Sequence, residues 1–407
     1  MKKFVLVAIG GTGMRVAQSV IALAASGFLS DKCADDYLLE IRLVDLDIVS
    51  GSDKIELEEM IRSVNEAIPY MSIIVDDNEK APHWKPKGVD AMKSFATEIE
   101  DRSTLGSILN ERDMDRTDAL VFRALFGEDD RMMELRRGCK GKPRIGSLLW
   151  AESFDRDWSN PTGFWRTIFQ HIGVGDELRV MFAGSVFGGT GASGTPTLAQ
   201  KYVHACRSEK VQNLAPFAAH VGLTLMLPYF DIGQDTDVDS GLFSINSKMA
   251  LKYYETSEVL SEVEFAQFVG DDRRQMDKKN EQGEWKRVRL DRNSNANEGQ
   301  NDPSMPAELM AAIGICRYFA GDVPRTNRIE QKVSVPMKWI NHDKEQDIPA
   351  DVAFPIRQFD VFPVSNDITN ETRIRSIKDY VLRLERFALM LNSYYRANAA
   401  VRMPWRY

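Results

Sequence analysis

The chain has 407 residues, of which 43% are hydrophobic and 28% charged, with a formal net charge of −8. This length suffices for two domains, or for one large α/β unit with an appendage. A general nucleic-acid binder would present a basic field to the phosphates, so the acidic balance argues against a nucleic-acid partner.

The cysteines and the apolar segments exclude two further classes of protein. Four cysteines lie far apart with no Cys-x-x-Cys pair, so neither a zinc site nor a disulfide framework is indicated. The first apolar run, Phe4 to Ile9, lacks the cleavage region of a signal peptide, and no apolar stretch reaches membrane-spanning length. We therefore expect a cytoplasmic protein with no membrane span.

The first 50 residues have the pattern of a βαβ unit. Residues 4–9 form a short, continuous apolar run typical of a buried parallel strand. The tetrad Gly10-Gly11-Thr12-Gly13 follows, and helical apolar spacing begins at Met14 and runs to Ala25. Residues 41–47 predict a second strand that ends in Asp45 and Asp47. This order predicts a Rossmann-like parallel sheet.

The middle of the chain continues the α/β pattern. We expect a helix and a strand near residues 71–74 within 50–84, then helical spacing from Met92 to Leu125. The run 138–146, Gly-Cys-Lys-Gly-Lys-Pro-Arg-Ile-Gly, predicts a rigid cationic loop that faces an anion.

A second strand-and-tetrad pair follows. Residues 178–183 predict a strand that leads into Gly188-Gly189-Thr190-Gly191, and residues 218–227 predict a central strand ended by Pro228. Residues 244–260 predict a helix with Ser244 as its N-cap.

The last third of the chain has a weaker pattern. Residues 270–300 are almost all polar and indicate an exposed hairpin or insertion. Glu308 to Phe319 predicts a small apolar helix, and 332–335 and 359–364 are strand candidates. A long amphipathic helix is predicted over 370–399.

Each tetrad is typical of a phosphate-binding loop. Glycines let the backbone approach an anion closely, and the helix that follows offers unpaired N–H groups and a positive dipole end. The carboxyl ends of parallel strands lie at one edge of a sheet, where ligands bind. Two such loops without a Walker lysine favour a fold that holds one nucleotide from several loops.

The order of these motifs resembles the tubulin and FtsZ superfamily, and most closely its divergent bacterial tubulin-like branch. Phe187 to Gly194 matches the signature Gly-Gly-Gly-Thr-Gly-Ser/Thr-Gly, with Phe187 at the first glycine position. The run 138–146 is similar to the FtsZ loop Gly-Ala-Gly-Ala-Asn-Pro-Glu-Ile-Gly, and residues 245–252 resemble the start of the family's central helix. The resemblance covers residues 1 to about 320.

The resemblance implies a GTP/GDP and Mg²⁺ site and a role for each candidate residue. Nucleotide contacts would come from Gly10, Gly11, Thr12, Gly13, Asp47, Gly138, Lys140, Gly141, Gly188, Gly189, Thr190, Gly191 and Asn246. Asp47 would act through the metal, and Asn246 would read the guanine edge. Asp302 or Glu308 would orient the attacking water for a neighbouring subunit, although the family's Asn-x-Asp-x-x-Asp/Glu pattern is not intact.

The resulting hypothesis is a GTP-binding, filament-forming protein with hydrolysis completed in trans. Its predicted parts are a nucleotide-binding domain (1–243), a central helix (244–262) and a smaller α+β C-terminal region (263–407). The predicted partners are further copies of the chain, with an operon-encoded protein as another candidate. Two alternatives stay open: a non-hydrolysing tubulin-fold scaffold in a stress-response or defence system, and an NAD-binding Rossmann oxidoreductase.

Overall fold

The computed structural model describes the parts of the chain that carry the main α/β pattern. It describes residues 2–25, 29, 37–45, 57–62, 64, 90–94, 104–135, 139, 141–170, 172–173, 175–208, 214–229, 231–232, 242–270, 278–279, 285–286, 289–290, 306–321, 338–341 and 344–347.

The described residues form one six-stranded parallel sheet with two-residue and four-residue strand pairs outside it. Its strands are β1 (Lys2–Ile9), β2 (Tyr37–Val44), β3 (Asp90–Ser94), β4 (Glu177–Ser185), β5 (Val221–Met226) and β6 (Phe265–Val269). Their order across the sheet is β3-β2-β1-β4-β5-β6. This is the strand order of a doubly wound dinucleotide-binding sheet, so the predicted α/β fold is confirmed.

Helices cover both faces of this sheet. The longer ones are α1 (Gly10–Ala25), α2 (Arg116–Leu125), α3 (Pro143–Trp158), α4 (Gly189–Ser208), α5 (Leu242–Thr256) and α6 (Pro306–Phe319). Short α-helices span Leu105–Ile108, Glu128–Arg131 and Val259–Glu262, and 3-10 helices span Glu111–Asp113, Arg166–Phe169 and Ala215–Ala219.

The core has two layers because β1 lies at the centre of the sheet and is buried on both faces. Phe4, Leu6 and Ala8 pack with α1 and α6 in one layer. The alternate residues of β1 pack with α3, α4 and α5 in the other. Successive side chains of a strand point to opposite faces of the sheet. A strand that is buried on both faces is therefore a continuous hydrophobic run, as β1 is.

Three predictions about individual elements are wrong. Residues 90–94 continue the sheet as β3 beside β2, whereas the apolar spacing from Met92 predicted a helix. α5 begins at Leu242, so Ser244 lies inside its first turn and is not the N-cap. This helix connects β5 to β6 within one sheet, so it is a crossover helix and does not lead out of the sheet domain as a central helix would.

The end of the sheet domain also differs from the prediction. β6 and α6 fall in the predicted C-terminal region 263–407, yet β6 pairs with β5 and α6 packs in the same core layer as α1. The sheet domain therefore extends to Phe319, well beyond the predicted boundary at 243.

Several predicted elements lie outside the described residues: the strands at 71–74, 332–335 and 359–364 and the helix at 370–399. Within the predicted polar insertion, Lys278–Lys279 pairs antiparallel with Trp285–Lys286. Arg289–Leu290 pairs with Asp231–Ile232.

Candidate functional site

The two glycine tetrads lie side by side at the centre of the sheet. The first follows β1 and the second follows β4, and these strands are paired neighbours on either side of the point where the strand order reverses. A Cβ placed on Gly10 would lie 3.4 Å from the Cβ of Thr190 and 3.6 Å from the backbone N of Gly191. The structure therefore brings together two loops that are about 180 residues apart in sequence.

The residues of the tetrads fall into two groups, those that pack against the strands and those that are accessible. A Cβ on Gly13 would lie 2.6 Å from the carbonyl oxygen of Ala183, and one on Gly191 would lie 2.6 Å from the backbone N of Ser185. These two glycines allow the helices to pack closely on the strand ends. By contrast, Gly11, Thr12, Gly188 and Thr190 are partly exposed, which leaves them accessible to a ligand.

Two helix N-termini begin at these loops, α1 at Gly10 and α4 at Gly189. The first N–H groups of a helix have no intrahelical acceptor, and the helix dipole places partial positive charge there. Neither first turn contains an acidic residue that would compete for those donors. Two neighbouring N-termini of this kind form an anion-binding edge suited to phosphate groups.

The predicted third loop contacts the second tetrad. A Cβ on Gly189 would lie 2.8 Å from the Cβ of Cys139 and 2.9 Å from the backbone N of Gly141. Gly141 has a φ of +74°, a left-handed conformation that favours glycine. Gly138 and Lys140 of the same loop lie outside the described residues.

Asn246 on α5 links the second and third loops. Its Nδ2 donates to the carbonyl oxygens of Gly141 (3.1 Å) and Phe187 (3.0 Å). Asn246 therefore lies beside the second and third loops, and its amide hydrogens hold these two loops together. Its role as a base reader stays a prediction.

Charged side chains hold the third loop against the short helix Glu128–Arg131. Lys142 Nζ donates to Asp130 Oδ1 at 2.7 Å, and Arg144 also pairs with Asp130. The hydrogen bond from Lys142 and the two positive charges lower the pKa of the Asp130 carboxyl, although its burial opposes the shift. Lys142 is thus directed towards Asp130.

Cys139 in the third loop is buried. Burial raises the pKa of its thiol strongly, and the negative charge of Asp45 raises it further. Because the thiolate is the nucleophilic form, this cysteine is not a candidate nucleophile. The effect of Asp45 also shows that the end of β2 lies near the third loop.

Glu308 at the start of α6 is buried, with only 1% of its surface exposed. Arg15 of α1 pairs with it through two hydrogen bonds of 2.5 and 3.2 Å, and the Tyr229 hydroxyl donates to it at 2.8 Å. Burial, and next the charge of Glu308, raise the pKa of Tyr229 well above its usual value, so Tyr229 stays a proton donor. The carboxylate is fully engaged within the chain and does not reach the surface where it could act on a neighbouring subunit.

This buried bridge connects the elements that carry the two tetrads. Tyr229 also packs edge-on against Phe187, the residue before the second tetrad, with ring centroids 6.4 Å apart. Arg15 lies two residues after the first tetrad. Sequence reasoning missed Arg15 and Tyr229. The one available signal was a charged residue within the apolar spacing of α1.

Asp47 and Asp302 lie outside the described residues, while Asp45 is described and follows β2 directly. The described part of the chain contains no group of three His, Cys, Asp or Glu side chains that could hold a metal ion. Among the helices that can be described, none is long and apolar enough to cross a membrane.

No protein-family model and no curated protein sequence matches this chain. It is similar in structure to CetZ2 from Haloferax volcanii, solved as a GTPγS-bound protofilament, at 13% identity and a TM-score of 0.36. It is also similar to TubZ from Bacillus thuringiensis serovar israelensis, solved as a GTPγS-form protofilament, at 11% identity and a TM-score of 0.30.

The two matches cover 78% and 77% of this chain but only 58% and 54% of those chains. The chain therefore spans little more than half of the length of the solved structures it matches.

Proposed function

We propose that this chain binds a nucleotide through its phosphates at the edge where β1 and β4 end, and that the nucleotide is GTP or GDP. The observation that carries the proposal is the close approach of Gly10 to Thr190, since a Cβ on Gly10 would lie 3.4 Å from the Cβ of Thr190. It brings together two glycine-rich loops and two helix N-termini on adjacent central strands. Gly11, Thr12, Gly188 and Thr190 supply accessible backbone for the phosphates.

The guanine base and the metal come from the sequence resemblance to the tubulin and FtsZ superfamily. Phosphate loops accept any nucleotide, so the geometry of the tetrads does not select the base. Mg²⁺, held in part by Asp47, would neutralise phosphate charge. The chain's own contribution is to orient the phosphates by N–H groups of α1 and α4 and to close the site with the third loop.

Calorimetric titration with GTP, GDP, ATP and NAD⁺ tests this proposal. Binding of GTP and GDP, at least about tenfold tighter than that of ATP, supports it, a difference of about 1.4 kcal/mol. Asn246→Ala tests the origin of the preference. If Asn246 reads the base, this variant loses the discrimination between GTP and ATP, whereas if it only holds the two loops, it weakens both equally.

Head-to-tail assembly and hydrolysis in trans form the second part of the proposal. Glu308 is buried in an ion pair, so we assign the water-orienting role to Asp302 and a structural role to Glu308. Pelleting of the protein with GTP but not with GDP would support assembly. Loss of phosphate release in Asp302→Ala, with assembly retained, would support the role of Asp302. Pelleting without phosphate release in the wild type would favour the non-hydrolysing scaffold.

One observation favours a second candidate, NAD binding. The strand order of the sheet, the glycine turn after β1 and the acidic Asp45 after β2 are the arrangement that holds a dinucleotide, in which the acid binds a ribose. The second tetrad has no part in that arrangement. The titration above separates the two candidates directly.

A further inference from the structure

Two helices of the sheet domain expose apolar side chains where polar ones are expected. The first set, which we call the α2 face, comprises Leu120, Val121 and Leu125 of α2. These residues expose 61%, 54% and 61% of their surface. The second set, which we call the α5 stripe, comprises Ile245, Met249 and Tyr253 of α5. These residues expose 57%, 66% and 43% of their surface. Single exposed apolar residues are common, but contiguous ones on a helix face mark interaction sites.

Both sets share one side of their helix. At 100° per residue the α2 face lies within an arc of about 140°, and the α5 stripe, with its spacing of four, within about 80°. Phe122 alone is buried among the residues of α2, and it packs on Phe126 with ring centroids 5.3 Å apart. α2 is thus anchored by one aromatic side chain and presents its apolar face to solvent.

The local structure under the α2 face is firmly held, so the exposure belongs to a well-defined surface. Asp115 caps α2, accepting from the backbone N of Thr117 and of Asp118 at 2.8 Å. Glu111 accepts from Arg123 of α2 at 2.9 Å and also pairs with Arg131. A preorganised helix loses little entropy when it binds a partner.

The two surfaces carry opposite charges. The exposed carboxylates at and after α2 are Asp115, Asp118, Glu128 and Asp129, which outnumber the two exposed arginines of that helix, Arg116 and Arg123. Along the α5 stripe the exposed charges are Lys248 and Lys252, the latter 2.8 Å from Glu255. The same chain therefore carries an apolar face bordered by carboxylates and an apolar stripe bordered by lysines.

We propose that the α2 face of one molecule binds the α5 stripe of a second copy of this chain. The apolar side chains supply the burial, and the lysines beside the stripe meet the carboxylates beside α2. Different patches meet, so each molecule offers both halves of the contact. The patches are small, so the pairing is weak and concentration-dependent, and added salt weakens it further.

This inference goes beyond the GTP-driven assembly proposed above, because it assigns the surfaces of a weak contact between two copies that needs no nucleotide. We would measure it by sedimentation velocity of the full chain at increasing protein concentration, with and without GTP. Because the contact needs no nucleotide, association without GTP separates it from nucleotide-driven assembly. The test variants are Leu125→Asp, which breaks the α2 face, and Met249→Asp, which breaks the α5 stripe.

The account predicts that each variant alone associates at least about tenfold more weakly than the wild type, and that an equimolar mixture of the two recovers pairing. The mixture retains one intact α5 stripe and one intact α2 face. Ala219→Asp adds the same charge at an exposed site on a different element, and it should associate like the wild type. If every variant unfolds at the same temperature as the wild type, the variants are folded.

Three results would overturn the proposal. Undiminished association of Met249→Asp alone would mean that α2 faces pair with each other or that another surface is used. Undiminished association of Leu125→Asp alone would exclude the α2 face. A wild type that stays monomeric at every concentration, with and without GTP, would mean that neither surface binds a second copy.

Discussion

At the scale of single residues, the candidate site depends on glycines that no other residue can replace. Gly189 shows this most clearly, because a Cβ there would come within 2.8 Å of Cys139 Cβ and 2.9 Å of the Gly141 backbone N. The neighbour at Gly141 is main chain and cannot rotate away. The second and third loops would have to separate.

We predict that Gly189→Ala weakens nucleotide binding at least about tenfold and lowers the free energy of unfolding by about 1–3 kcal/mol through overcrowding. Titration calorimetry and urea unfolding measure the two effects. Gly127→Ala is the matched control, since its Cβ would meet no atom within 4 Å and its φ is −62°. If Gly189→Ala and the wild type bind nucleotide with equal affinity, the close packing of these loops is not required for binding.

Glu308 gives a second residue-scale prediction. Glu308→Gln leaves the buried Arg15 guanidinium without its counter-charge, so we expect the free energy of unfolding to fall by about 3–5 kcal/mol. Replacing both partners, as in Arg15→Met with Glu308→Leu, removes the charges together and should restore most of that loss.

Urea unfolding of the wild type, the single variant and the double variant measures these differences. A Glu308→Gln variant as stable as the wild type, yet unable to release phosphate, would reverse our assignment and make Glu308 a catalytic acid.

At the scale of elements, charge pairs hold the third loop beside the short helix Glu128–Arg131. Asp130 connects that helix to Lys142 and Arg144 at the start of α3. Its carboxyl has a lowered pKa in the folded chain, so its stabilising effect is complete above the unfolded-state value of about 3.9 and is lost as the pH falls through the folded-state value.

We therefore predict that Asp130→Asn is less stable than the wild type by about 1 kcal/mol near neutral pH, because both partners are well exposed to solvent. The difference should begin to shrink below about pH 4 and should vanish only once the pH lies below the lowered folded-state pKa of Asp130. Urea unfolding across this pH range checks the prediction. A difference that persists unchanged in acid would show that the carboxylate charge is not responsible.

The pattern of elements could be predicted from sequence where it depends on local signals. Continuous apolar runs predicted β1 and β4, and glycines after each predicted the turns into α1 and α4. Met92 was misassigned because a short strand between polar segments has too few residues to reveal its period. The role of α5 was misread because the pairing of β6 with β5 joins residues about 40 apart, which no local pattern encodes.

At the scale of the whole molecule, one sheet collects its functional groups from distant parts of the chain. The sequence predicted that the tetrads share an edge, because parallel strands end together. It could not predict that they touch, since their contact needs β1 and β4 to be neighbours. The bridge of Arg15, Tyr229 and Glu308 was likewise beyond sequence reasoning, because its members come from α1, the end of β5 and α6.

The same sheet places the proposed binding edge near α5. Asn246, which donates to the second and third loops, follows directly after Ile245 of the α5 stripe. A ligand that separates these loops would therefore act on the helix that we propose as a contact surface. In this way, nucleotide binding and self-association share one element.

The central claim is that the paired tetrads bind a guanine nucleotide, and the most direct measurement is chromatography of the nucleotide released from the purified, denatured protein after incubation with GTP, ATP and NAD⁺ together. The account predicts GTP or GDP at close to one per chain, and a marked loss in Gly189→Ala but not in Gly127→Ala. Release of NAD⁺ or ATP alone, or of no nucleotide, would contradict it.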